Sequence, residues 1–249
     1  MSYSQKPDPE HHRHLIYRTD QKNESLAIFV HGIGQAHLNG WRPLPTHLSG
    51  NAINDVTLSN WDFLFFGYDS LNNDDFLSIS SLLGIQFRDA IEGRGLFAPG
   101  GYRQIALFGF SLGTLVIRQF LASCEISGGT LTAIKSVTFF NSPIDGSRLS
   151  GLAPFAPLKR MSAALVHSMR RNSPQLIYLR AWSICALAHH AWPTIRSYYG
   201  VFDPVVKVYG IPRGWSDETT ATFAGSHNIH ELLAPPYGDA FSAIVDALR

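Results

Sequence analysis

Only two cysteines, Cys124 and Cys185, occur among 249 residues, too few for a disulfide framework. No stretch of about 18 apolar residues runs unbroken, so a simple membrane-spanning helix is not expected. The opening Met-Ser-Tyr-Ser-Gln-Lys-Pro-Asp-Pro-Glu lacks the apolar core of a secretory signal. The formal net charge is +1, without the basic excess of a dedicated nucleic-acid binder. Internal repeats, low-complexity tracts and obvious linkers are also missing. These absences leave the expectation of a soluble, cytoplasmic, globular protein. With 45% hydrophobic and 16% charged residues, a single large domain with a sizeable core accommodates the chain.

Histidine is plentiful, with 11 copies. His11, His12 and His14 lie in or beside a polar leader over 1–13 and are expected at the surface. His189 and His190 close a predicted helix, where positive charge is favoured. A metal centre would need ligands at fixed spacing with cysteine or carboxylate partners, so no metal is expected.

Short β-rich runs alternate with longer helical ones. Strands are predicted over 14–19, 26–31, 63–68, 104–109, 137–141, 195–200 and 219–224, and helices over 41–48, 75–91, 112–124, 158–171, 174–192 and 237–248. Nearly continuous apolar runs such as Leu-Ala-Ile-Phe-Val suit strands covered on both faces. Their alternation with helices predicts parallel βαβ units. The short polar link 20–25 predicts a hairpin of the first two strands, hence an α/β sandwich with an antiparallel edge.

Ligands of such sheets gather at the carboxyl ends of the strands. There the sequence offers His-Gly-Ile-Gly (31–34), Gly-Phe-Ser-Leu-Gly (109–113), Asn-Ser-Pro-Ile-Asp-Gly-Ser (141–147), Val-Phe-Asp-Pro (201–204) and Gly-Ser-His-Asn-Ile-His (225–230). In a chain with 21 glycines, G-x-S-x-G carries little weight alone; its flanks carry it. An apolar strand precedes Ser111 and a helical run follows, the setting of a nucleophile on a strained strand-to-helix turn. Such a serine needs an imidazole to take its proton, and the imidazole needs a carboxylate to fix its tautomer. Asp203 is preferred as the acid over Asp145, because the order Ser, Asp, His favours a late acid. His227, directly after the last strand, is preferred as the base over His230. The Leu112 amide opens the helix, and the Ile33 amide follows an earlier strand end; both are candidate oxyanion donors. A dinucleotide-binding reading of His-Gly-Ile-Gly fails, since His37 stands where the third glycine of G-x-G-x-x-G belongs.

Phe-Val-His-Gly-Ile-Gly (29–34), Phe-Gly-Tyr-Asp-Ser (66–70), Gly-Phe-Ser-Leu-Gly-Thr (109–114) and Phe-Phe-Asn-Ser-Pro-Ile-Asp-Gly-Ser (139–147) occur in this order. Over about residues 25 to 249 the chain resembles the α/β-hydrolase superfamily, and within it the serine esterases and lipases related to the GPI inositol-deacylase group. The resemblance implies Ser111 as nucleophile, Asp203 as acid, His227 as base, and Ile33 and Leu112 as oxyanion donors. Phe110 stands where a histidine is commoner beside the nucleophile.

Residues 148–192 exceed a simple crossover helix and read as a helical cap insertion. Leu176, Leu179, Trp182 and Leu187 recur at helical spacing, which also suits packing on the sheet. The greasy composition suggests an apolar ester, lipid-like ones included, and equally suits peripheral contact with a membrane surface or a dimer contact. The expectation is a serine hydrolase of carboxylic esters that works without metal or organic cofactor. The alternative is a non-catalytic interaction module of the same fold.

Overall fold

The computed structural model describes residues 3–7, 14–19, 22–34, 39–45, 56–69, 76–97, 99–126, 131–147, 163–187, 193–206, 220–229, 233 and 238–249. The strands are β1 (Tyr3–Pro7), β2 (Leu15–Thr19), β3 (Ser25–Val30), β4 (Trp61–Phe66), β5 (Gln104–Phe110), β6 (Ile134–Phe140), β7 (Thr194–Gly200) and β8 (Thr220–Phe223). The helices are α1 (Val56–Ser59), α2 (Phe76–Glu92), α3 (Leu112–Ile126), α4 (Ala163–Ser168), α5 (Pro174–Leu187) and α6 (Asp239–Leu248).

One eight-stranded sheet runs in the order β1-β2-β4-β3-β5-β6-β7-β8. From β4 through β8 every neighbouring pair is parallel, and β1–β2 and β2–β4 are antiparallel. The central strands are apolar on both faces because both are covered. Ile28, Val30 and Leu107 point to one side, where they meet Leu83 and Phe87 of α2 and Leu115 and Phe120 of α3. Their sequence neighbours Ala27, Phe29 and Phe108 point to the other, against Trp41 and Ile244 and Leu248 of α6. The period-two alternation of a strand thus feeds two cores at once.

The predicted hairpin does not form. β2 pairs with β1 and β4, while β3 pairs with β4 and β5. Tyr17 and Arg18 leave β2 half-buried, which suits a flanking strand. The fully buried β4 fills the place beside β3, where both of its faces are covered. His14 also departs from expectation. It is buried, accepts the Gly67 N–H on Nδ1 at 3.0 Å and stacks on Phe66 at 4.8 Å, so it is a core histidine. The segment read as a polar leader contributes β1 to the sheet edge. His11, His12, His189 and His190 lie outside the described residues.

Of the segment 148–192, α4 and α5 are described. α5 buries Leu176 and Leu179 and packs on α3. Among the described residues no helix is long and apolar enough to cross a membrane.

Candidate active site

Ser111 occupies the single residue between β5 and α3, and its φ is 52°. That left-handed conformation costs a non-glycine residue about 1–2 kcal/mol, and here the packing around the turn enforces it. The Ser111 N–H donates to the Phe140 carbonyl at 3.0 Å. The Ser111 carbonyl accepts from the Thr114 N–H at 3.0 Å and from the Thr114 hydroxyl at 2.7 Å. Gly113 explains why the motif needs glycine: a Cβ there would lie 2.2 Å from the Val30 carbonyl oxygen. The helix that follows Ser111 therefore starts in backbone contact with the end of β3.

Asp203 and His227 lie in the loops that follow β7 and β8. Asp203 follows the turn after β7, and its side chain is 1% exposed. Its Oδ1 accepts the N–H groups of Val205 and Val206 at 2.7 and 2.9 Å, which fixes the carboxylate plane. Oδ2 lies 2.6 Å from His227 Nδ1, and His227 Nε2 lies 2.9 Å from Ser111 Oγ. A carboxylate can only accept, so Nδ1 carries the proton and donates it. Nε2 of that tautomer has a free lone pair, and the Ser111 hydroxyl donates to it. The three side chains make one continuous hydrogen-bonded chain. Phe110 packs its ring 5.2 Å from the imidazole.

The two amides named as oxyanion donors flank this chain. Leu112 is the first residue of α3, so its N–H belongs to the group that a helix cannot satisfy internally. Ile33 sits in the loop after β3, and that loop abuts the serine: a Cβ on Gly32 would lie 3.1 Å from Ser111 Cβ. Asp145 is brought elsewhere. Its carboxylate pairs with Arg180 of α5 at 3.0 Å, not with the imidazole. His230 lies outside the described residues.

Sequence reasoning passed over several side chains that brace the site. Thr114 Oγ1 lies 2.8 Å from Ser142 Oγ, linking the turn at Ser111 to the end of β6. Asn141, buried with φ 49°, bonds to both Gly200 and Ser226. Behind the site Arg118 of α3 is wholly buried, donates to Ser183 Oγ of α5 at 2.9 Å and lies 4.3 Å from the Phe139 ring. Burial pulls its pKa down to about 10, against the opposing pull of Tyr199 and Asp145, so it stays charged near neutrality.

Strand order, parallel core and a serine on the turn after β5 define this as the α/β-hydrolase fold. No family model matches the sequence, and no curated protein matches it. Solved structures do. Carboxyl esterase 2 from Tuber melanosporum superposes with a TM-score of 0.59 at 12% identity, over 94% of this chain and 78% of that one. Lipase BlEst2 from Bacillus licheniformis does so with 0.54 at 11%, over 96% and 99%. Phospholipase PlaB from Legionella pneumophila gives 0.56 at 16%, over 71% of this chain; the chain spans only 37% of the length of PlaB. At these identities the likeness is one of fold.

Proposed function

We propose that the protein is a serine hydrolase that cleaves carboxylic esters through Ser111, His227 and Asp203. The observation that carries this reading is the unbroken chain from Ser111 Oγ to His227 (2.9 Å) to Asp203 (2.6 Å), on a serine at positive φ. As Ser111 Oγ attacks the ester carbonyl carbon, its proton passes to His227 Nε2. Asp203 holds the imidazole in the correct tautomer and stabilises its charged form. The N–H groups of Ile33 and Leu112 receive the negative charge that develops on the carbonyl oxygen. His227 returns the proton to the departing alcohol, leaving Ser111 acylated. Water then attacks the acyl carbon, giving one proton to His227, and the acid leaves as Ser111 recovers its hydroxyl proton. Each step is a proton transfer or an acyl transfer, and none calls for a metal or an organic cofactor.

An apolar ester is the proposed substrate class. Val201 and Phe202, adjacent to each other and immediately before Asp203, are 60% and 72% exposed, a surface that suits apolar groups. The structural neighbours are named as an esterase, a lipase and a phospholipase, which supports the same class. A fluorophosphonate probe tests the reading directly. The folded wild-type protein should be labelled and Ser111→Ala should not; an unlabelled wild type would rule out the nucleophile.

A further inference from the structure

We propose that Asn141 is the positioning residue that holds His227 in reach of both Ser111 and Asp203; this rests on the functional reading above. Asn141 directly follows β6, and its N–H extends the β6–β7 ladder by donating to the Tyr198 carbonyl at 2.8 Å. Its side-chain amide then does two things at once. Oδ1 accepts the Gly200 N–H at 2.7 Å, and Nδ2 donates to the Ser226 carbonyl at 3.1 Å. Gly200 opens the acid's turn, its carbonyl accepting the Asp203 N–H at 3.2 Å. Ser226 is the residue before His227. One amide therefore spans from the turn of the acid to the loop of the base.

The loop needs such a tie. Residues 224–228 are exposed or half-buried, and Ile229 is the first to be anchored in the core. The imidazole must satisfy two partners 2.6 and 2.9 Å away with only two side-chain torsions. Its backbone therefore has to be held closely. The Phe202 N–H holds the Gly225 carbonyl at 3.0 Å, and Asn141 holds the next carbonyl along. Asparagine fits on two counts. Its φ of 49° is tolerated by Gly, Asn and Asp, and of these only Asn has both an acceptor and a donor.

The experiment uses Asn141→Gly, which keeps the backbone conformation and removes the amide, and Asn141→Asp, which keeps the acceptor and removes the donor. On a short-chain nitrophenyl ester both should lower kcat by about a hundredfold, with KM changed less than about twofold. In a His227→Ala background the same substitutions should change the residual rate by less than about twofold, because the group they act through is gone. Equal losses in both backgrounds would show a general structural defect and overturn the proposal. Proton NMR supplies a readout independent of turnover. The His227 Nδ1 proton, held in a short bond to Asp203, should give a low-field signal in wild type that broadens or vanishes in both variants. An unchanged signal would overturn the positioning role. If wild type neither turns over the ester nor takes the probe, the catalytic reading falls, and the NMR signal still decides the role of Asn141.

Discussion

His227 Nε2 stands 2.9 Å from Ser111 Oγ, although 116 positions separate the two residues in the chain. The sheet makes that meeting, since β5 and β8 deliver their carboxyl ends to the same edge. Each of the side chains proposed as catalytic can be removed separately, and each removal has its own expected cost.

Asp203→Asn should leave the fold intact and lower kcat by about a thousandfold or more, because an amide in that place allows the wrong imidazole tautomer. Circular dichroism would check the fold and a nitrophenyl ester the rate. Activity near the wild-type level would remove Asp203 from the mechanism.

Asp145→Asn gives the contrasting case. Its ion pair with Arg180 is partly exposed, with side-chain exposures of 36% and 26%. Such pairs contribute less than about 1 kcal/mol to stability. Turnover within about threefold of wild type is the expected result. A collapse in kcat here, with Asp203→Asn active, would reverse the assignment of the acid.

The two neighbouring histidines can be separated in the same assay. His227→Ala should lose at least about a thousandfold in kcat, and His230→Ala should stay within about threefold of wild type. Near-normal turnover in His227→Ala would transfer the role of base to His230.

Gly113→Ala tests the packing of the turn at Ser111. The added Cβ would sit 2.2 Å from the Val30 carbonyl oxygen and 2.6 Å from that of His31, both of them backbone atoms. Relieving the clash should cost about 2 kcal/mol or more and displace Ser111. Thermal unfolding and probe labelling should both report a loss. An unshifted Tm with full labelling would contradict the close approach.

Alkaline pH should unfold the protein through its buried tyrosines. Burial raises the pKa of Tyr68 and Tyr199 above the ordinary 10.0, so the unfolded chain ionises them first. Their contribution to stability is complete below pH 10 and is lost as the pH climbs through and beyond it. Tm measured from pH 8 to 11 should fall most steeply above about 10, and the fall should be shallower in Tyr199→Phe. A flat profile across that interval would refute the burial of these hydroxyls.

The candidate site was legible in the sequence because each of the three proposed side chains follows a predicted strand in an alternating strand–helix pattern, and of these runs only the one before Ser111 is apolar and buried almost throughout. Ser111, Asp203 and His227 all sit at such ends, and strand ends on one edge must converge. Pair order was less legible. Nothing in residues 14–31 says that β4 will enter between β2 and β3, since that choice depends on burying the second face of Trp61–Phe66. Asn141 was hidden for a related reason. Its partners lie 59 and 85 positions away, and an asparagine after a strand reads as a turn residue until those partners are in view. His14 misled because the residues before it (His11, His12 and Arg13) are polar, while its neighbours in space are Phe66 and Gly67.

The left-handed φ at Ser111 also sets what selection must preserve. Glycine would relax that turn, so a library sorted for heat resistance alone should drift toward Gly at position 111 and grow sturdier as it falls silent. Serine would persist there only in a population whose survival depends on what the hydroxyl does.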